Sequence, residues 1–201
     1  MTEQLKRPPL IAYSAFAAIV IQWATILSFF ILDFKFAEQL QPISYFATRP
    51  ATQQIFTFGF ALSGLLVLAF VAFWARSFMK ISLILFSISM GCFIAMATIP
   101  FRPENIQNLV QHENVTAIFA LTYVLGMLHA GVRNLDPGLR RRSFICGLIG
   151  LIFGITIYNT NNAVHTTSII FYEIVCALAA QYWIIYVTKY TIEQDRLKQS
   201  T

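Results

Sequence analysis

The sequence predicts an all-α, polytopic membrane protein, a bundle of six transmembrane helices with both termini in the cytoplasm. Charged residues make up only 11% of the 201 residues, against roughly 25% in an average soluble domain. Hydrophobic residues make up 57%, including 19 Phe, which is more than a water-soluble chain of this size can bury. These values exclude a disordered protein, a disulfide scaffold and an ordinary cytosolic enzyme.

The six predicted spans lie in long apolar runs that contain almost no charged residues. A helix that crosses a bilayer needs about 20 such residues. We place the spans at about 10–32, 54–75, 81–100, 113–132, 144–161 and 167–188. The runs are continuous, unlike the alternating strands of a membrane barrel. No internal repeat divides the chain, so residues 1–201 are predicted to form a single transmembrane domain.

The first span begins at Leu10, after Lys6, Arg7 and two prolines. Its apolar run is too long for a signal peptide and no good cleavage site follows it, so we predict a retained helix. The longest outer loop, Asp33–Gln53, comes next and contains Pro42–Phe46, whose proline and apolar residues indicate an ordered segment. We expect this segment to pack on the outer end of the bundle.

The third and fifth spans carry small residues at a spacing of four, which allows helices to approach closely in lipid. The third has Ser87, Gly91 and Ala95, and the fifth has Gly150 and Gly154. Packing inside this bundle is the simpler interpretation, and contact with a partner helix is the alternative.

The distribution of Lys and Arg predicts the orientation. With the N-terminus inside, the outer segments hold only Lys35, Arg49 and Arg102. The inner segments hold the other eleven, namely Lys6, Arg7, Arg76, Lys80, Arg133, Arg140, Arg141, Arg142, Lys189, Arg196 and Lys198. Both termini should therefore be cytoplasmic. The same bias explains the net charge of +5, so we predict no nucleic-acid partner.

The candidate site is a polar pocket at the outer end of the bundle. Glu173 is the only carboxylate well inside a span, and a buried charge is expensive in lipid, so it should face the bundle interior. The residues placed near it are Ser44, Tyr45, His112, Glu113, Tyr158, Asn159, Asn162 and His165. Their spacing matches no metal motif, and we assign no metal and name no cofactor.

Several of these features resemble the Frag/DRAM/Sfk family of six-helix membrane proteins and a related uncharacterised bacterial and archaeal family. The matching positions are Pro42-Ile43-Ser44, Arg49-Pro50, Ile55-Phe56, Arg76, His112, Ala117, Phe119 and Glu173. The resemblance implies a role in lipid handling, with Ser44, His112 and Glu173 as family landmarks. It supplies no catalytic set.

Three functions follow from the sequence. The first is a membrane protein that binds or organises lipid through the outer polar pocket. The second is a membrane-embedded hydrolase or transferase that acts on lipid headgroups, with Glu173 and either His112 or His165 as acid and base or as metal ligands. The third is an accessory subunit of a larger membrane complex, for which the small-residue faces would be partner surfaces. Convergence of His112, His165 and Glu173 would favour the second.

Overall fold

Every regular element that the structure describes is a helix. The computed structural model describes residues 9–39, 42–74, 80–99, 102, 104–133, 136–161 and 166–199. We number the long helices in this part α1 to α6, and they are Ser14–Leu32, Gln53–Trp74, Lys80–Thr98, Ile106–Arg133, Pro137–Asn161 and Thr166–Gln199. A 3₁₀ turn, Leu10–Tyr13, precedes α1, and a short helix, Phe34–Ala37, and a second 3₁₀ turn, Ile43–Thr48, lie between α1 and α2.

Five helical segments in the described part are long and apolar enough to cross a membrane, which fits an integral, multi-pass membrane protein. They are Leu10–Leu32, Gln53–Trp74, Lys80–Thr98, Ile106–Arg133 and Ile170–Leu197. We expected six. The predicted span 144–161 lies within α5, but this helix is not among the five, and its first turns carry Arg140, Arg141 and Arg142.

Each long helix packs against the next one in the chain, and α6 also contacts α1. The order of the helices therefore defines two ends of the bundle. We call the end where α1 finishes and α2 begins the loop end, because residues 33–39 and 42–52 lie there. The opposite end is the basic end, where α3 begins at Lys80, α4 finishes at Arg133 and α5 begins next to Arg140–Arg142.

Three helices extend beyond their predicted spans because polar residues continue them: α4, α6 and also α5, which begins at Pro137 and not at residue 144. α4 begins at Ile106, where the side chain of Asn105 accepts hydrogen bonds from the backbone of Gln107 and Asn108. α6 continues to Gln199, past the predicted end at residue 188. At the start of α5, the backbone N–H of Leu139 donates a hydrogen bond of 2.6 Å to Asp136 Oδ1, and this bond caps the helix.

Aromatic side chains form the middle of the bundle. Trp74, Phe86, Tyr123 and Trp183 come from four helices and are all buried. The ring centroids of Phe86 and Trp183 lie 4.8 Å apart in a stacked pair, and those of Trp74 and Trp183 lie 5.7 Å apart, edge to face. Lipid is as apolar as the protein interior, so moving an apolar side chain from lipid into the bundle gains no hydrophobic free energy. Close packing of this kind therefore holds the helices together.

Polar side chains within the bundle hydrogen-bond to one another. Gln181 on α6 donates to Gln22 Oε1 and accepts from the Trp23 indole, both at 2.8 Å. These bonds tie α1 to α6. The Trp183 indole likewise donates to Ser143 Oγ at 2.8 Å, which ties α6 to α5.

The two small-residue patterns lie in different surroundings. A Cβ atom at Gly150 would lie 2.9 Å from Val124 on α4, so this glycine packs inside the bundle. Ser87 and Gly91 are exposed, and a Cβ at Gly91 or at Gly154 would meet no atom within 4 Å. The expectation of packing inside the bundle is therefore wrong for Ser87 and Gly91, because α3 turns this face outward.

A matched pair of glycine variants tests the close packing. We expect Gly126→Ala to destabilise the protein by about 1–3 kcal/mol, because its Cβ would lie 2.8 Å from the ring of Phe86, which is held by its aromatic neighbours. Gly91→Ala should be neutral or stabilise by up to about 1 kcal/mol, since alanine favours a helix. Thermal unfolding in detergent measures both. Equal losses for the two variants would contradict the packing described here.

Candidate functional site

The segment between α1 and α2 is attached to α6 by Glu173. The backbone N–H of Ile43 donates a hydrogen bond of 3.0 Å to Glu173 Oε2, across 130 positions of the chain. This confirms that Glu173 faces the protein and bonds to the loop between α1 and α2. The partner of the Glu173 carboxylate is a backbone amide, and not one of the side chains that we expected as partners.

Phenylalanine packing holds the same segment on the bundle. The Phe46 ring stacks on Phe29 of α1 with centroids 4.6 Å apart, and meets Phe36 edge to face at 5.2 Å. Phe46 is 3% exposed, and Ile43 and Tyr45 pack against the same cluster. The Thr52 hydroxyl also donates to the Phe46 carbonyl at 2.6 Å. The expectation that Pro42–Phe46 packs on the bundle is confirmed.

An ion pair between Arg49 and Asp33 lies on the exposed surface of this segment. Arg49 Nε lies 2.8 Å from Asp33 Oδ2, and the guanidinium carbon lies 4.8 Å from the centre of the Phe36 ring. The Arg49 side chain is 44% exposed, so the pair contributes little to stability. It does hold the guanidinium immediately before the start of α2.

Beside this segment, a shallow groove runs between α1 and α2. It holds about 390 Å³ and is lined by Thr25, Gln54, Ile55, Phe58, Gly59 and Leu62. Thr25 can lie at its floor only because α2 has glycine there: a Cβ at Gly59 would lie 2.8 Å from Thr25 Cγ2 and still closer to its hydroxyl oxygen. Gln54 is the polar residue at the loop end, and the walls are apolar.

The other predicted site residues lie in mixed surroundings. His112 is buried on α4, whereas Glu113 is exposed. Ser44 and Tyr45 are partly buried next to Ile43. Asn162 and His165 lie outside the described residues. Tyr158 and Asn159 lie within α5, but their side chains are also outside the described part.

The described residues offer no evident centre for metal chemistry. No group of three or more His, Cys, Asp or Glu side chains in this part of the chain is placed to hold a metal ion. The hydrogen bond of Glu173 goes to Ile43, and His112 lies on α4, which packs between α3 and α5. His129, near the other end of α4, hydrogen-bonds to Ser82 at 2.8 Å.

Sequence reasoning missed the groove and its residues. Thr25, Gln54 and Gly59 belong to no sequence motif. The groove forms only because residues of α1 and α2 come together in the fold. A glycine and a threonine inside neighbouring spans are a signal for close helix contact, but the partner of each cannot be read from one sequence.

No protein-family model, curated protein or solved structure matches this chain. The resemblance to the Frag/DRAM/Sfk family therefore stays a prediction from the quoted residues.

Variants of Glu173 test the attachment of the loop. Glu173→Gln keeps an oxygen that accepts the Ile43 N–H, so we expect it to be nearly as stable as the native protein. Glu173→Ala removes the acceptor and should cost about 1–3 kcal/mol, because a partly buried amide loses its partner. Thermal unfolding in detergent measures both, with Glu113→Ala at an exposed position as the control. If Gln destabilises as much as Ala, the charge of Glu173 matters more than its hydrogen bond.

Proposed function

We propose that this protein binds a membrane lipid at the loop end of the bundle, with an acyl chain in the groove between α1 and α2. The observation that carries the proposal is the groove itself, with its polar residue Gln54 at the boundary and its apolar walls facing the outside of the bundle. A phospholipid has the same order of polar headgroup and apolar chain.

The attached loop supports a lipid ligand in a second way. Glu173 and the Phe46 cluster hold residues 43–48 in place, and the chain continues from this ordered segment into Gln54 of the groove. Arg49 and Gln54 both lie near the start of α2, where a headgroup would be. Ordered groups bind a ligand with a smaller loss of entropy than mobile ones do.

The lipid-handling role implied by the resemblance to the Frag/DRAM/Sfk family points in the same direction, and membership of that family belongs to the proposal. Among the described residues, no contact favours the hydrolase or transferase alternative over lipid binding. The exposed face of Ser87 and Gly91 is the feature that an accessory subunit would use.

We further propose six spans with both termini cytoplasmic. α5 packs between α4 and α6, both of which carry membrane-length apolar segments. From residue 143 to residue 161 it contains no charged residue. These two observations support a crossing of α5 between α4 and α6, and the positive-inside bias favours a cytoplasmic basic end.

Filling the groove should displace the lipid. We expect Ile55→Trp to lower the amount of lipid that co-purifies with the protein, because the indole would occupy the space of an acyl chain. Loss of contact with three methylenes is worth about 2.4 kcal/mol, or roughly fiftyfold in affinity. Lipid extraction and mass spectrometry of the purified protein measure this. Leu65→Trp, also exposed on α2 but outside the groove, is the control. Unchanged lipid in Ile55→Trp would contradict the proposal.

Single introduced cysteines test the topology. In intact cells, a membrane-impermeant maleimide should label Glu38→Cys at the loop end. It should label Arg140→Cys at the basic end only after permeabilisation. The unsubstituted chain is the control for its own three cysteines, which all lie in helices of the bundle. Labelling of Arg140→Cys in intact cells would reverse the orientation.

A further inference from the structure

We propose a second lipid site at the basic end, a surface between α5 and α6 that binds a phospholipid with an anionic headgroup. The site is distinct from the groove at the loop end and stands or falls independently of it.

Arg142 is the fixed cation of this surface. Its guanidinium carbon lies 3.9 Å from the centre of the Tyr186 ring, and its Nε donates to the Tyr182 hydroxyl at 3.1 Å. Nη1 also donates to the Gly138 carbonyl at 3.3 Å. The bond to Tyr182 raises the pKa of Arg142 further above its ordinary value, so the side chain stays charged. A guanidinium held in this way is suited to bind a phosphate oxygen.

An apolar stripe on α5 leads away from the arginines. Ile145, Leu148 and Ile152 are 46%, 49% and 59% exposed. With Arg141, which is also exposed, they follow a spacing of four, three and four residues, so they share one face of the helix. The stripe therefore runs from a cation toward the middle of the bundle, the same order as a headgroup and its acyl chain.

α6 provides a second stripe on the other side of the Arg142–Tyr182 contact. Leu178 and Tyr182 are 50% and 52% exposed, and Lys189 is exposed one turn beyond Tyr186 on the same helix. The spacing of seven between Tyr182 and Lys189 puts them on one face. On both helices, therefore, the cations lie nearer the basic end and the exposed apolar side chains lie nearer the middle of the bundle.

The charge at this end favours an anion. The acidic groups nearby are Asp136, whose Oδ1 caps Leu139, and Glu193 and Asp195, which lie beyond Lys189 on the extension of α6. Arg140 and Arg141 are both exposed. Each basic side chain near an anionic headgroup contributes about 1 kcal/mol, or roughly fivefold in affinity. The occupant is a lipid and not a soluble phosphate, because the cations continue directly into exposed apolar surface.

The test uses the full chain in detergent, titrated with phosphatidylglycerol or with phosphatidylcholine of the same acyl chains, and native mass spectrometry to count bound lipid. We expect the native chain to prefer phosphatidylglycerol. Arg141→Gln should lower that affinity roughly fivefold, from the loss of one cation. Arg142→Lys, which keeps the charge but loses the bond of Nε to Tyr182, should also lower it.

Three controls decide the interpretation. Lys35→Gln removes an exposed cation at the loop end, and Leu65→Trp changes an exposed residue of α2 outside both proposed sites, so neither should change the preference. Equal binding of the two lipids by the native chain would overturn the proposal, and so would a loss in Lys35→Gln equal to that in Arg141→Gln. Displacement of phosphatidylglycerol by inorganic phosphate would assign the cations to a soluble anion and would overturn it too.

Discussion

A polar group inside a bilayer has no water to bind, so it needs a partner within the protein, and the helices of this bundle are joined where such partners meet. Gln181 bonds to Gln22 and Trp23 and so connects the last helix to the first. The Trp183 indole likewise donates a hydrogen bond to Ser143 Oγ and so connects α6 to α5. Glu173 follows the rule with a different result: its partner is the backbone of Ile43, so the interaction orders a loop as well as joining elements distant in the chain.

Aromatic packing determines how closely the helices approach around these polar contacts. Lipid and apolar side chains are equally hydrophobic, so contact between helices depends on shape. The rings at the centre fit where a glycine leaves room for them, as at Gly126, which lies directly against Phe86. At the loop end, Phe29 and Phe46 stack and extend the same kind of core beyond α1 into the loop. The loop is therefore part of the folded bundle, and it leads directly into the start of α2, where the groove begins at Gln54.

The two ends of the bundle differ in chemistry, and the proposed functions differ accordingly. The loop end offers an apolar groove with the uncharged Gln54 at its boundary, and Arg49 there is already paired with Asp33. The basic end offers exposed arginines above apolar stripes, with Arg142 held between two tyrosines. An uncharged boundary does not discriminate strongly among headgroups, whereas a cationic one selects anionic lipids. A protein with both would contact each leaflet differently.

The apolar runs of the sequence determined the helical class and the approximate positions of five spans, because hydrophobic length in a membrane protein is a local property of the chain. The need to satisfy Glu173 and the apolar content of Pro42–Phe46 also predicted that both would face the protein, which they do. Only the tertiary structure decided that Ile43 is the partner of Glu173, that Gly91 faces outward and that Thr25 and Gly59 form a groove. These outcomes depend on how each helix is rotated about its axis. In spans that are apolar on every side, periodicity does not reveal that rotation, and side-chain packing between neighbours sets it.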